Sequence, residues 1–199
     1  MLTIHLIRHG KTYGNTLYRY IGSTDEPLCE EGISQLKNNP YPPCEALYIS
    51  PMLRCRQTAA LIYPLLIPMI VEDLRECDFG DFENKNYEEL KDNKDYSDWV
   101  LSNAVLPFPN GESKEIFTKR TLLGFGEVIN DAIRHHYKTI SLVVHGGTIM
   151  SVLWSYATIP KDYYDWSVKN GEGFVTKLLE SSYHNGVLQL QVLDTITKG

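Results

Sequence analysis

The sequence predicts an α/β fold, a three-layer α/β/α sandwich around a mostly parallel central sheet. Apolar, β-branched runs of strand length alternate with stretches of helical periodicity, the pattern that builds a parallel sheet. Two of those runs end alike, in Ile7-Arg8-His9-Gly10 and in Val144-His145-Gly146-Gly147. Polar groups therefore sit where an open α/β sheet takes its ligands, beyond the carboxyl ends of the strands. The chain has 199 residues, 43% of them hydrophobic. That is enough for one core and predicts a single domain over residues 1–199.

The elements follow in order. Residues 2–7 are the first strand. Residues 13–24, rich in Gly, Asn, Tyr and Thr, predict a loop, and 25–28 a turn in which Pro27 fixes φ. A helix is expected over 30–38, ended by the prolines of 40–43, and a second strand over 45–50. Residues 54–66 predict a helix with Thr58, Ala59, Leu61, Ile62 and Leu65 on its apolar face, and 69–71 a third strand. Residues 74–82 are irregular, 87–103 hold one or two short helices, and 106–111 form a loop. Ser113 is placed to cap a long helix to residue 137, with Ile116, Phe117, Leu122, Leu123, Phe125, Val128, Ile129 and Ile133 as its apolar side. Residues 139–144 are the clearest buried strand, and a helix is expected over 149–156. Strands over 173–179 and 186–194, separated by a turn at 182–185, predict a hairpin or two strands at the sheet edge.

Composition narrows the function. The net charge of −6 excludes the overall basic footprint of a nucleic-acid binder, so an anionic substrate needs clustered cations. No apolar run is long enough to span a membrane, and the N terminus enters a strand without a secretory signal; no membrane partner and a cytoplasmic location are expected. Cys29, Cys44, Cys55 and Cys77 lack metal or disulfide spacing and are expected to be free thiols.

In a parallel sheet, His9 and His145 lie on one edge. Glycine after each lets a ligand approach the backbone and frees an N–H, and Gly146-Gly147-Thr148 opens a helix whose N terminus favours an anion. Arg54 and Arg56 are two apart on a helix, so one of them is expected at the pocket and the other in solvent or on an acid. His5 is expected as a packed or surface histidine, His135 and His136 as helix-end cations, and His184 as a turn residue without a role. Arg56 and Arg75 are expected in salt bridges; Tyr13, Tyr18, Arg19 and Tyr20 either line a substrate entrance or form a solvated loop.

These blocks, in this order and over nearly the whole chain, resemble the histidine phosphatase superfamily, with its phosphoglycerate-mutase-like fold. Leu6-Ile7-Arg8-His9-Gly10-Lys11-Thr12 with Asn15 is similar to its Arg-His-Gly signature. Asp25-Glu26-Pro27-Leu28 with Gly32 and Gln35, Ser50-Pro51-Met52-Leu53-Arg54, Leu74-Arg75-Glu76 with Phe79-Gly80-Asp81-Phe82-Glu83, Pro109-Asn110-Gly111-Glu112-Ser113 and Val144-His145-Gly146-Gly147 resemble its further blocks. The resemblance implies that His9 attacks phosphorus and that Arg8, Arg54 and His145 hold the phosphoryl oxygens, with Asn15 and Gly146 beside them. Glu76 would act as general acid and then base. No cofactor and no metal is implied. Asp78 and Asp81 are expected to raise the pKa of Glu76, and the arginines to oppose them.

The resemblance leans toward the α-ribazole phosphatase and broad-specificity branch. It implies a phosphoric monoester hydrolase acting on a small phosphate ester, with α-ribazole 5′-phosphate, and so cobalamin biosynthesis, as a specific expectation. A cofactor-dependent phosphoglycerate mutase and a non-catalytic phosphate-binding adaptor stay open, as does a homodimer through a C-terminal edge strand. Three departures stand out. Lys11 replaces a frequent acid or amide and is expected to favour extra negative charge on the substrate. Cys29 replaces a helix-capping Thr, a weaker cap by about 1 kcal/mol. Phe82 replaces a frequent Trp as packing.

Overall fold

The computed structural model describes residues 1–179, Tyr183 and residues 186–197; the expected turn at 182–185 lies, apart from Tyr183, outside the described residues, and His184 with it. The elements are β1 (Thr3–Arg8), α1 (Tyr13–Thr16), α2 (Glu30–Lys37), β2 (Ala46–Ile49), α3 (Leu53–Ile62), β3 (Met69–Ile70), α4 (Tyr87–Leu90), α5 (Lys94–Leu101), α6 (Lys114–Arg134), β4 (Thr139–Val144), α7 (Gly146–Tyr156), β5 (Gly173–Leu178) and β6 (Leu190–Ile196). They build one six-stranded sheet in the order β3-β2-β4-β1-β5-β6. The first four strands in that order are parallel, and β5 and β6 are antiparallel, so the sheet is mostly parallel as expected.

Strand periodicity sorts the core onto two faces. Ile4 and Leu6, Ala46 and Tyr48, Ile140, Leu142 and Val144 pack against Phe125, Val128, Ile129 and Ala132 of α6 and Ile149, Val152 and Leu153 of α7. The alternate residues Ile7, Leu47, Ile49 and Val143 pack against Cys55, Ala59 and Tyr63 of and beside α3. Helices therefore cover both faces, giving the three layers. Each fully buried Leu or Ile contributes about 1.5–3 kcal/mol. The chain leaves β4 into α7 on one face, whereas after β1 it passes to α2, which packs on α3 on the other. Neighbouring parallel strands whose connections part to opposite faces open a crevice at their carboxyl ends, and His9 and His145 stand at that crevice.

Several expected boundaries move for local reasons. The expected loop at 13–24 begins with α1, a single turn held by a capping box: Asn15 N–H donates to Thr12 Oγ1 and Thr12 N–H to Asn15 Oδ1. α3 stops at Ile62, because Tyr63 precedes Pro64 and leaves the helical region; Leu65 is consequently exposed. α6 ends at Arg134, with His136 at φ 59°. Its buried stripe at 125, 128, 129 and 132 leaves Ile116, Leu123 and Ile133 in solvent, contrary to the broader face expected. α7 begins at Gly146, three residues earlier than expected, and β6 starts only at Leu190. Ser113 caps α6 as expected, accepting from Ile116 N–H, and Cys29 supplies no side-chain cap to α2.

Candidate active site

His9 is fixed from all sides. Its N–H donates to Val144 O at 2.9 Å, which extends the ladder between β1 and β4 by one residue. Its carbonyl accepts from Gly171 N–H and Asn170 Nδ2. The ring is buried, and Nδ1 lies 2.7 Å from Gly10 O. A carbonyl only accepts, so Nδ1 carries the proton and Nε2 keeps its lone pair. Burial, and then the positive charges of Arg54 and Arg8, push the imidazole well below its ordinary pKa, against the Gly10 carbonyl. His9 is thus a neutral imidazole at neutral pH.

Gly10 works differently from the expectation. Its N–H is not free but donates to Thr58 Oγ1 at 2.9 Å. A Cβ there would meet Leu36 at 2.6 Å, so glycine lets β1 turn closely over α2.

His145 follows β4, and its ring centroid lies 5.2 Å from that of His9. Burial and the same two arginines keep it neutral, well below its ordinary pKa. Its Nε2 is 2.7 Å from Ser50 Oγ, at the end of β2. Ser50 Oγ also accepts from Met52 N–H at 3.4 Å, which leaves its proton for Nε2. Nδ1 then bears the ring proton, and it has no acceptor among the described residues. Cys55 Sγ lies 3.6 Å from the same Nε2; burial raises that thiol to about 12, so it stays protonated. The four cysteines are free thiols.

Arg8 and Arg54 supply the cations. Arg8 donates to Val168 O at 2.7 Å. Arg54, fully buried, donates to the carbonyls of Thr24, Ile21 and Gly22. In both, Nε is buried without an acceptor among the described residues. Arg56, two residues on, is exposed and bonds Pro51 O, so the expected division of the pair is what the helix produces. Asn15 Oδ1 is held by Thr12 N–H and Asn170 Nδ2, which places its amide beside Arg8 at the rim.

Glu76 completes the group. Its carboxylate accepts from Cys77 N–H at 3.0 Å and from Gly147 N–H. Burial pushes its pKa up, while the Cys77 N–H, Arg54, Arg8 and the Gly147 N–H pull it down. Asp78 and Asp81 are not the cause, contrary to the expectation: Asp78 caps Gly80 N–H and Asp81 accepts from Asn110. A Cβ on Gly147 would meet Glu76 Oε1 at 2.6 Å, so this glycine makes room for the acid. With neutral histidines and a carboxyl driven toward neutrality, the guanidiniums of Arg8 and Arg54 leave the site with an excess of positive charge suited to a phosphoryl dianion.

Residues that sequence reasoning left aside support this group. Arg120 of α6 binds Glu112 with two N–H groups and donates to the carbonyls of Asp73, Arg75 and Glu76. Burial pushes Glu112 up, but Arg120 outweighs it and holds the carboxyl below its usual range. Beside Arg8 and Glu76 opens a cavity of about 330 Å³ walled by Tyr20, Phe79, Trp99, Phe108, Phe117 and Tyr163, with Lys114 among them. Of the loop residues read as a candidate entrance, only Tyr20 lines it; Tyr13 and Tyr18 are exposed and Arg19 pairs with Glu89. Lys11 is bound by Glu31 and borders a different groove. Phe82 is fully buried beneath this aromatic wall, and His5 is packed, bonded to Ser141. His135 lies beside Asp131 at the end of α6, and Arg75 is 3.9 Å from Asp73.

A buried, neutral, oriented imidazole between two guanidiniums, with a protonatable carboxyl opposite, defines an enzyme that works on a phosphoryl group. Comparison with known proteins agrees. Residues 4–190 match the model of the histidine phosphatase superfamily, branch 1. An adenosylcobalamin/alpha-ribazole phosphatase of Salmonella typhimurium is 31% identical over 200 residues, covering 90% of this chain and 96% of that one. The crystal structure of an alpha-ribazole phosphatase from Shigella flexneri superposes with a TM-score of 0.80 at 25% identity, over 100% of this chain and 98% of that one. A phosphoglycerate mutase structure from Thermus thermophilus gives 0.73 at 26% identity, over 98% and 99%. The chain belongs to the histidine phosphatase superfamily. It is a phosphatase, a phosphoric monoester hydrolase with a phosphoglycerate-mutase-like fold.

Proposed function

We propose that the protein hydrolyses small phosphate monoesters with an apolar, aromatic leaving group, through a phosphohistidine on His9. His9 Nε2 attacks phosphorus, the bond to the leaving oxygen breaks, and Glu76 gives that oxygen its proton. Water then attacks the phosphohistidine, loses its proton to the Glu76 carboxylate, and the P–N bond breaks to release phosphate and neutral His9. Arg8, Arg54 and the Nδ1–H of His145 take the phosphoryl oxygens, with Asn15 and Gly146 at the edge. A covalent intermediate divides one slow displacement into two, and fixed donors aimed at developing charge supply most of the acceleration.

The observation that carries this reading is the set of buried, unshared donors around a neutral imidazole: Arg8 Nε, Arg54 Nε and His145 Nδ1. Such groups cost stability unless a ligand takes them. The aromatic wall favours hydrolysis of an ester with an apolar body over mutase chemistry, because phosphoglycerate is short and hydroxylated and has no apolar surface to set against the rings. Alpha-ribazole 5′-phosphate, an alkyl phosphate whose leaving group carries an aromatic base and to which the Salmonella relative's name points, belongs in the first panel assayed.

The test is Glu76→Gln on aryl phosphates against alkyl phosphates. Poor leaving groups need the proton more. The expected loss in kcat/KM is about a hundredfold or more for alkyl esters and much smaller for 4-nitrophenyl phosphate. An equal loss on both removes Glu76 from the role of general acid.

A further inference from the structure

Lys114 stands in the wall of the leaving-group cavity, and its neighbours set it apart from Lys11, Lys91 and Lys94, which lie elsewhere. Lys11, Lys91 and Lys94 each pair with a carboxylate. Lys114 has no anionic partner among the described residues. Its ammonium lies over the Tyr163 ring at 3.9 Å, with Trp154 at 5.5 Å and Tyr164 at 5.6 Å. The rings hold the stem and orient the charge, yet they accept none of its N–H groups as a carboxylate would. Trp99, which lines the same cavity, has a buried indole N–H without an acceptor among the described residues. Two donors thus belong to the aromatic wall of the chamber, on elements separate from those that carry Arg8, Arg54 and His145. Burial also lowers the pKa of Lys114, a cost that an anion would reverse.

We propose that Lys114 is a specificity residue that recognises a second anionic group at the far end of the leaving group. The preferred substrates are then phosphate monoesters with an apolar or aromatic body ending in an anion such as a carboxylate. The proposal rests on the phosphatase reading and deepens it. It ranks such esters above esters whose leaving group carries no anion, alpha-ribazole 5′-phosphate included. It also moves the second-charge preference from Lys11, which Glu31 occupies, to the opposite side of Arg8.

The experiment compares 3- and 4-carboxyphenyl phosphate with their carboxamide counterparts, which match them in shape. In the intact protein the acid of at least one isomer is expected to exceed its amide in kcat/KM by about tenfold, mainly through KM, as for one charge-assisted hydrogen bond. Lys114→Met brings that ratio to about one, Lys114→Arg keeps most of it, and Lys114→Glu inverts it. A ratio near one for both isomers in the intact protein, or a preference that survives Lys114→Met, overturns the proposal. Turnover of the amides without any preference for the acids sinks this inference alone. Absence of turnover on all four esters sinks the phosphatase reading with it.

Discussion

At the scale of single residues, the site depends on which nitrogen of each histidine carries its proton. Gly10 O decides it for His9 and Ser50 for His145. The Arg-His-Gly and Val-His-Gly-Gly segments were legible as strand ends bearing functional groups. Ser50 was legible only as the end of the second strand, because its bond to His145 spans 95 positions and no local pattern encodes it. Ser50→Ala removes the donor that fixes Nε2 as acceptor. The expected result is about a tenfold fall in kcat/KM, the equivalent of one hydrogen bond, with Ser50→Thr retaining most of the activity. Measured on 4-nitrophenyl phosphate, an unchanged Ser50→Ala rate contradicts this role. Glu76 shows a different limit of sequence reasoning. The direction of its pKa shift was legible, but the cause is burial and not the nearby aspartates, which are turned to backbone and surface partners.

At the scale of elements, Glu76 stands on an irregular segment and not on a strand or helix, so something must hold that segment still. Arg120 does so by tying the carbonyls of Asp73, Arg75 and Glu76 to Glu112, whose carboxylate also accepts from Asp78 N–H. The Pro-Asn-Gly-Glu-Ser block thus works partly as a clamp: a Cβ on Gly80 would meet Pro109 O at 2.0 Å, and Gly80 takes φ +52° to allow the contact. Arg120→Met leaves Glu112 charged and nearly buried without its partner, a change that costs about 3–5 kcal/mol in such pairs. Urea unfolding is expected to show a loss of that order, together with a fall in kcat from a displaced Glu76. A loss under about 1 kcal/mol would contradict the clamp. The helices other than α1 were readable from periodicity and caps, whereas the ends of α3 and α6 turned on Pro64 and the left-handed His136. The width of the α6 stripe was overread, since periodicity marks a face but not which flanking side chains find cover.

At the scale of the whole molecule, strand order makes the site. β1 and β4 are far apart in sequence yet adjacent, with Thr3 beside Thr139, and their carboxyl ends carry His9 and His145 to one crevice with Ser50 from the end of β2. Alternation of strands and helices made the layered sheet legible. The aromatic chamber was not legible, because its walls come from separate regions around Tyr20, Phe79, Trp99, Phe117 and Tyr163 and meet only in the folded chain. No helix of the described residues is long and apolar enough to cross a membrane. The central claim is that this convergence makes His9 the group that carries the phosphoryl. The most direct measurement is rapid quenching, in alkali, of the protein turning over a ³²P-labelled aryl phosphate, followed by peptide mapping. The expected result is an alkali-stable, acid-labile label on His9 alone, and neither label nor turnover in a folded His9→Ala variant. Label on another residue, or near-normal turnover by His9→Ala, would contradict the account.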